Sequence, residues 1–142
     1  MGTAIRAELS SKNKYWISKH RYYELKHFCM QYPDWKRAYS ELCDTNLPLS
    51  MIETTPTDNL PGDPTVKRAL MKTFCSERIE LVEKTALKAD QCLHNYIIKG
   101  VTEGKSYTYL KTVLDIPCGR DMYYDKYRKF FWLLNDTRER GI

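Results

Sequence analysis

The sequence predicts an all-α protein, a helical bundle with a C-terminal helix-turn-helix. Apolar residues recur at spacings of three and four, and no strand-like alternation persists anywhere. Ser, Asp, Pro and Gly punctuate these stretches where helix caps and turns belong. The segment 106–134, SYTYLKTVLDIPCGRDMYYDKYRKFFWLL, reads as a short helix, a tight Pro/Gly turn and a longer basic-aromatic helix. That is the order of a unit whose second helix enters a DNA major groove.

Residues 1–14 are polar and expected to fray. Ser18 can cap a helix running to about Gln31, with Tyr22, Leu25, Phe28, Cys29 and Tyr32 on or near its apolar side. Pro33 suits the first position of a second helix, DWKRAYSELC, because its missing N–H would be unpaired there anyway. Trp35, Ala38, Tyr39 and Leu42 form the stripe of that helix.

Residues 44–63, DTNLPLSMIETTPTDNLPGD, hold three prolines and break the periodicity, as a linker or an extended arm. The expected organisation is a basic N-terminal helical segment over 1–43, this Pro-rich linker, and a unit over 64–142. Asp63 caps and Pro64 opens the longest helix, roughly 64–87, with Leu70, Met71, Phe74, Cys75, Ile79, Val82 and Ala86 inward. A shorter helix follows over Asp90 to Ile98, and Gly100 and Gly104 bracket a turn.

Ser106 caps the next helix, in which Tyr107, Leu110 and Leu114 make one stripe. Pro117 disfavours helical geometry at Ile116, so this helix should end near Asp115. Gly119 permits the turn, and Arg120 to about Asn135 then runs free of Gly and Pro. On that helix Tyr123, Phe130 and Leu134 share a buried face, with Tyr127 or Phe131 at its margin. Arg120, Asp121, Tyr124, Asp125 and Arg128 are left for the other side.

The net charge of +5 is unevenly spread. Residues 12–37 carry seven Lys/Arg against two acids, and 105–142 carry eight against five. Residues 38–62 carry four acids and no base. Two basic ends around an acidic middle suit a polyanion, although a modestly basic protein without that role has the same sum. No apolar run is long enough for a membrane helix, and the start MGTAIRAELSSKNK lacks the apolar stretch of a secretory signal. A cytoplasmic protein that does not engage a membrane is expected.

Five widely spaced cysteines form no C-x-x-C pair, so reduced and mostly buried thiols are expected. His20, His27 and His94 are scattered and suit the surface better than a metal site. There is no phosphate-cradling Gly-rich loop and no grouping of a nucleophile with a base. Glu77, Glu80 and Glu83 read as a solvated face. The chain is expected not to be an enzyme and to need no cofactor and no metal.

Three stretches together resemble a known family: the basic YWISKHRYYELKHFCMQYPDWKRAYSEL, the linker ETTPTDNLPGDPT leading into a long helix, and IPCGRDMYYDKYRKFFWLL. The family is that of phage late-operon transcriptional regulators of the RinA/ArpU type, found in phages and prophages of Gram-positive bacteria. The C-terminal half, from about Asp90, resembles the helix-turn-helix of sigma-factor region four. The likeness covers most of residues 12–138 in pattern more than in identity. Family members often place a small polar residue ahead of the recognition helix, where this chain reads Ile116-Pro117-Cys118-Gly119-Arg120. The resemblance implies sequence-specific binding of double-stranded DNA and activation of late genes in the bacterial host cytoplasm. Host RNA polymerase and a second copy of the chain are further candidate partners.

On this reading Arg120, Tyr124 and Arg128 face the groove, and Asp121 and Asp125 accept from cytosine amino groups. Lys105, Lys111, Lys126 and Lys129 contact phosphates. Lys12, Lys14, Lys19, Arg21 and Lys26 form either a second DNA surface or a solvated helix face. The competing reading is a phage assembly, packaging or host-factor-binding protein that uses the same basic helical surface. A plain helical hairpin with a charged, solvated side has the same local pattern.

Overall fold

The computed structural model describes residues 13–52 and 63–140. The expectations for the polar start, Lys12 and the middle of the Pro-rich break fall on 1–12 and 53–62, outside the described residues. The described residues form α-helices α1 (Lys19–Cys29), α2 (Tyr32–Leu42), α3 (Pro64–Ala89), α4 (His94–Glu103), α5 (Tyr107–Thr112) and α6 (Arg120–Glu139), with a 3-10 turn at Leu49–Met51. They contain no strand, as the periodicity predicts.

Most helix starts lie where the caps place them. Ser18 Oγ accepts from the Arg21 N–H at 3.4 Å, and Ser106 Oγ from the Tyr109 N–H at 3.2 Å. Asp63 Oδ1 accepts from the Val66 N–H at 3.0 Å and opens α3 at Pro64. Pro33 sits in the first turn of α2.

Several boundaries differ from the sequence expectation. Asp90 does not begin a helix. Its Oδ1 accepts from the N–H groups of Cys92 and Leu93 at 2.8 and 2.9 Å, folding a turn that delays α4 to His94. Gly100 lies inside α4 and is buried, while Gly104 ends that helix in the left-handed region at φ +70°. The helix after Ser106 stops at Thr112. Asp115 takes φ +54°, and the Ile116 N–H returns to the Leu110 carbonyl at 3.0 Å. A left-handed residue turns the chain before Pro117 is reached.

The chain divides into two compact units, one joining residues up to Met30 to those from Val82 onward, the other Gln31–Leu81. In the second unit Trp35, Ala38, Leu42, Ile52, Met71 and Cys75 are buried. Tyr39 and Leu70, expected inward, are exposed at the margins of their stripes. Arg68 acts as a staple: its guanidinium donates to the carbonyls of Leu42 at 2.8 Å, Asp44 at 3.3 Å and Leu47. These groups at and beyond the end of α2 lack intrahelical partners, and a planar fork of donors satisfies several at once.

The first unit is a bundle around α6, against which α1 and α4 pack, while α4 also contacts α1 and α5. Its core includes Leu25, Phe28, Leu93, Ile97, Val101, Leu110, Ile116, Phe130 and Leu134. Tyrosines complete it. The Tyr22 and Tyr127 hydroxyls hydrogen-bond each other at 2.7 Å while both rings are buried. Tyr22 meets Phe131 edge-on at 5.1 Å, a geometry worth about 0.5–1.5 kcal/mol beyond burial. At the rim, Arg21 Nε donates to Asn135 Oδ1 at 2.6 Å, and the Arg138 guanidinium lies 4.1 Å from the Phe28 ring centroid.

Tyr123 fits less completely. Its hydroxyl is buried without a hydrogen-bond partner among the described residues and lies where a side chain on Gly100 would begin. Gly100 therefore has a packing role: it makes room for a tyrosine on α6. The cysteines divide differently from the expectation of mostly buried thiols. All five are free, but Cys43 and Cys92 are exposed and Cys118 is half-buried. Burial pushes the Cys29 thiol far above its ordinary range.

Candidate nucleic-acid interface

The C-terminal unit is built from α5, a connection over 113–119, and α6. Tyr107 ties the three together. Its O–H donates to the Cys118 carbonyl at 2.7 Å, its N–H donates to the Tyr124 hydroxyl at 3.4 Å, and its ring lies 6.0 Å from that of Tyr123. The first contact holds the connection against α5, and the others hold the start of α6. The connection is longer than the three or four residues of a compact helix-turn-helix.

α6 is about 30 Å long at 1.5 Å per residue. Tyr123, Tyr124, Tyr127, Phe130, Phe131 and Leu134 are all buried and form one broad arc. This corrects the assignment of Tyr124 to the groove-facing side. Tyr124 is 3% exposed, packs edge-on against Tyr123 and Tyr127, and accepts from Tyr107. The arc is also wider than expected, since Tyr127 and Phe131 lie within it. Burial pushes the Tyr123 and Tyr127 phenols well above their ordinary range.

The other expected site residues fall into three groups. Asp121, Asp125, Arg128 and Lys129 follow one another at three-, four- and eight-residue spacings, which brings them to the outward side of α6. Asp121 is exposed and the other three are half-exposed. Arg120 stands apart, exposed at the first position of the helix, with its guanidinium 5.4 Å from the Tyr124 ring centroid. Lys126 lies on the opposite flank, where Nζ meets Asp90 Oδ2 at 3.9 Å in a half-buried ion pair. Lys105 precedes α5, 4.6 Å from the Tyr109 ring centroid. Lys111 is exposed in the last turn of α5; burial and then the Asp90 charge raise the Cys118 thiol, and Lys111 acts against them.

Two features favour an anion near the start of α6. Gly119 supplies no side-chain cap, so N–H groups of the first turn are left to other acceptors. Arg120 stands at that end. The rest of the outward side is mixed in charge, with Asp121, Asp125, Asp136 and Glu139 alongside Arg128 and Lys129. Such a surface does not attract phosphates over its whole length, but its Arg and Asp side chains match base edges.

Sequence reasoning missed Trp132. It is 40% exposed on the same outward side, four residues after Arg128 and three after Lys129. The available signal was a large aromatic residue off the apolar arc.

Among the described residues no group of His, Cys, Asp and Glu is placed to hold a metal ion, and no helix is long and apolar enough to cross a membrane. No protein-family model, no curated protein and no solved structure matches this chain.

Proposed function

We propose that this chain binds double-stranded DNA through the outward side of α6 and regulates transcription, in keeping with its resemblance to phage late-operon activators. The observation that carries the reading is the division of α6. Its aromatic arc is consumed by packing, which leaves Asp121, Asp125, Arg128 and Lys129 aligned on a rigid support beyond an uncapped N-terminus. Arg128 suits guanine, and the two Asp side chains suit cytosine amino groups. Arg120, Lys111 and Lys105 suit phosphates around the start of α6, and the order of short helix, connection and long helix suits a helix-turn-helix variant.

The direct test is binding to duplex DNA from the gene's own genomic neighbourhood against random duplex, across a salt series. Site-selective binding that weakens with salt in proportion to the phosphates contacted supports the reading. Equal binding to both duplexes, or none at low salt, overturns it.

A second reading, a phage assembly or host-factor-binding protein, is favoured by one observation. Met122 is exposed on the outward side beside Asp121 and Asp125, a composition that also suits a protein partner. Retention of a host protein by the wild-type chain, and its loss with Met122→Ala, would favour that role.

A further inference from the structure

The outward side of α6 continues past Lys129 to an aromatic pair that duplex reading does not use. Tyr15 packs against Trp132 with ring centroids 5.7 Å apart and planes at 58°. Tyr15 is held there by its own turn. Asn13 Oδ1 accepts from the Tyr15 N–H at 2.8 Å, and the Asn13 carbonyl accepts from the Trp16 N–H at 3.0 Å. Ile17 is buried and Ser18 caps α1 immediately afterwards. The turn is thus pinned by hydrogen bonds at its start and by burial at its end.

Cations flank the pair. Lys14 Nζ lies 5.0 Å from the Tyr15 ring centroid. Arg128 and Lys129 precede Trp132 by one helical turn on the same side. Of the nearby acids, Asp136 is engaged by Arg140 at 3.3 Å, while Asp125 lies a further turn back towards Asp121. Arg128, Lys129 and Asp136 thus lie within one helical turn of the exposed indole, and Asp136 is paired with Arg140.

Half-exposed aromatic rings flanked by ammonium and guanidinium groups have the chemistry of single-strand binding surfaces. A base stacks on a ring, its neighbouring phosphates meet the cations, and the sequence of the strand matters little. A paired duplex keeps its base faces stacked inside the helix. An apolar protein partner would require a continuous apolar patch, yet the other exposed apolar residue on this side, Met122, is ten residues away, about 15 Å along the axis.

We propose that Trp132 and Tyr15, with Lys14, Arg128 and Lys129, form a stacking platform for an unpaired base of a single-stranded nucleic acid. The platform stands about 18 Å along α6 from Arg120 and does not depend on duplex recognition at the start of the helix. It shares Arg128 and Lys129 with that surface, so a strand and a duplex would compete for them.

The test uses the full chain and two fluorescent strands of equal length at low salt, one of oligothymidylate and one of abasic backbone. Wild type is expected to bind oligothymidylate about tenfold more tightly. Trp132→Ala should bring that affinity down to the abasic level without changing abasic binding, and Trp132→Phe should restore most of it. Arg120→Ala should leave the ratio between the strands unchanged. Equal wild-type affinity for the two strands overturns the proposal without any variant. So does equal weakening of both strands by Trp132→Ala, or no binding to either strand.

Discussion

The inner and outer sides of α6 follow different rules. The inner side is aromatic, fully packed and tied to three neighbouring helices: α1 through Tyr22, α4 through Gly100 and α5 through Tyr107. The outer side is a mixture of Asp, Arg, Lys, Met and Trp with few contacts to constrain it. Packing selects the inner residues for shape, so their substitution should act on stability. The outer residues are available for recognition, so their substitution should act on binding.

Phe131→Ala should separate the two sides most strongly. Phe131 is fully buried, and its loss should destabilise the fold by about 3–5 kcal/mol in a urea titration. A loss below about 1 kcal/mol would mean that the aromatic arc is not a close-packed seam.

Alkaline pH should act on the buried side. Tyr123, Tyr127 and Cys29 are held neutral by burial, so their folded-state pKa values lie above the unfolded ones. The stability they contribute is complete below the unfolded values, 9.0 for the thiol and 10.0 for the phenols, and is lost as pH rises above them. The expected loss above pH 10 is about 1.4 kcal/mol per pH unit for each tyrosine. Urea midpoints that stay level from pH 9 to 11 would contradict that burial.

Gly100→Ala should cost about 1–3 kcal/mol by overpacking against the Tyr123 hydroxyl. Tyr123→Phe removes that hydroxyl and should recover part of the cost, so a double-mutant cycle should show coupling. Additive effects would remove the packing role assigned to Gly100.

Asp115→Gly should stabilise by about 0.5–1 kcal/mol, the relief of a left-handed residue less the extra chain entropy of glycine. A destabilised variant would give the Asp115 side chain a role of its own.

The smallest expected change in stability belongs to the outer side. Arg128→Ala should shift the urea midpoint by no more than about 0.5 kcal/mol in free energy while weakening specific duplex binding. A large loss of stability would move Arg128 from recognition to support.

Much of the fold was legible because its signals are local. The error at Tyr124 shows where legibility stops. A helical wheel centred on Tyr123, Phe130 and Leu134 leaves Tyr124 at the edge, and a tyrosine ring with a polar tip suits either side. Burial followed because α5 supplies the Tyr107 N–H to its hydroxyl and the neighbouring rings cover its faces. Lys126 looked like any other cation of a basic helix until the turn at Asp90 brought a carboxylate to it. Gly100 read as a turn residue because the tyrosine that needs its space lies 23 positions later.

The sequence by itself determined the all-α class and most helix starts. It also determined that Tyr123, Phe130 and Leu134 of α6 are buried together. Caps and helical periodicity act over three or four residues, and neither depends on the rest of the fold. Only the tertiary structure decided that α1 packs against α6, joining Tyr22 to Tyr127 and Arg21 to Asn135 across more than a hundred residues. It also placed Tyr15 on Trp132 and widened the arc to include Tyr124. Such pairings arise from complementary shape and from hydrogen-bond groups that must find partners away from water. No local stretch of sequence carries that information.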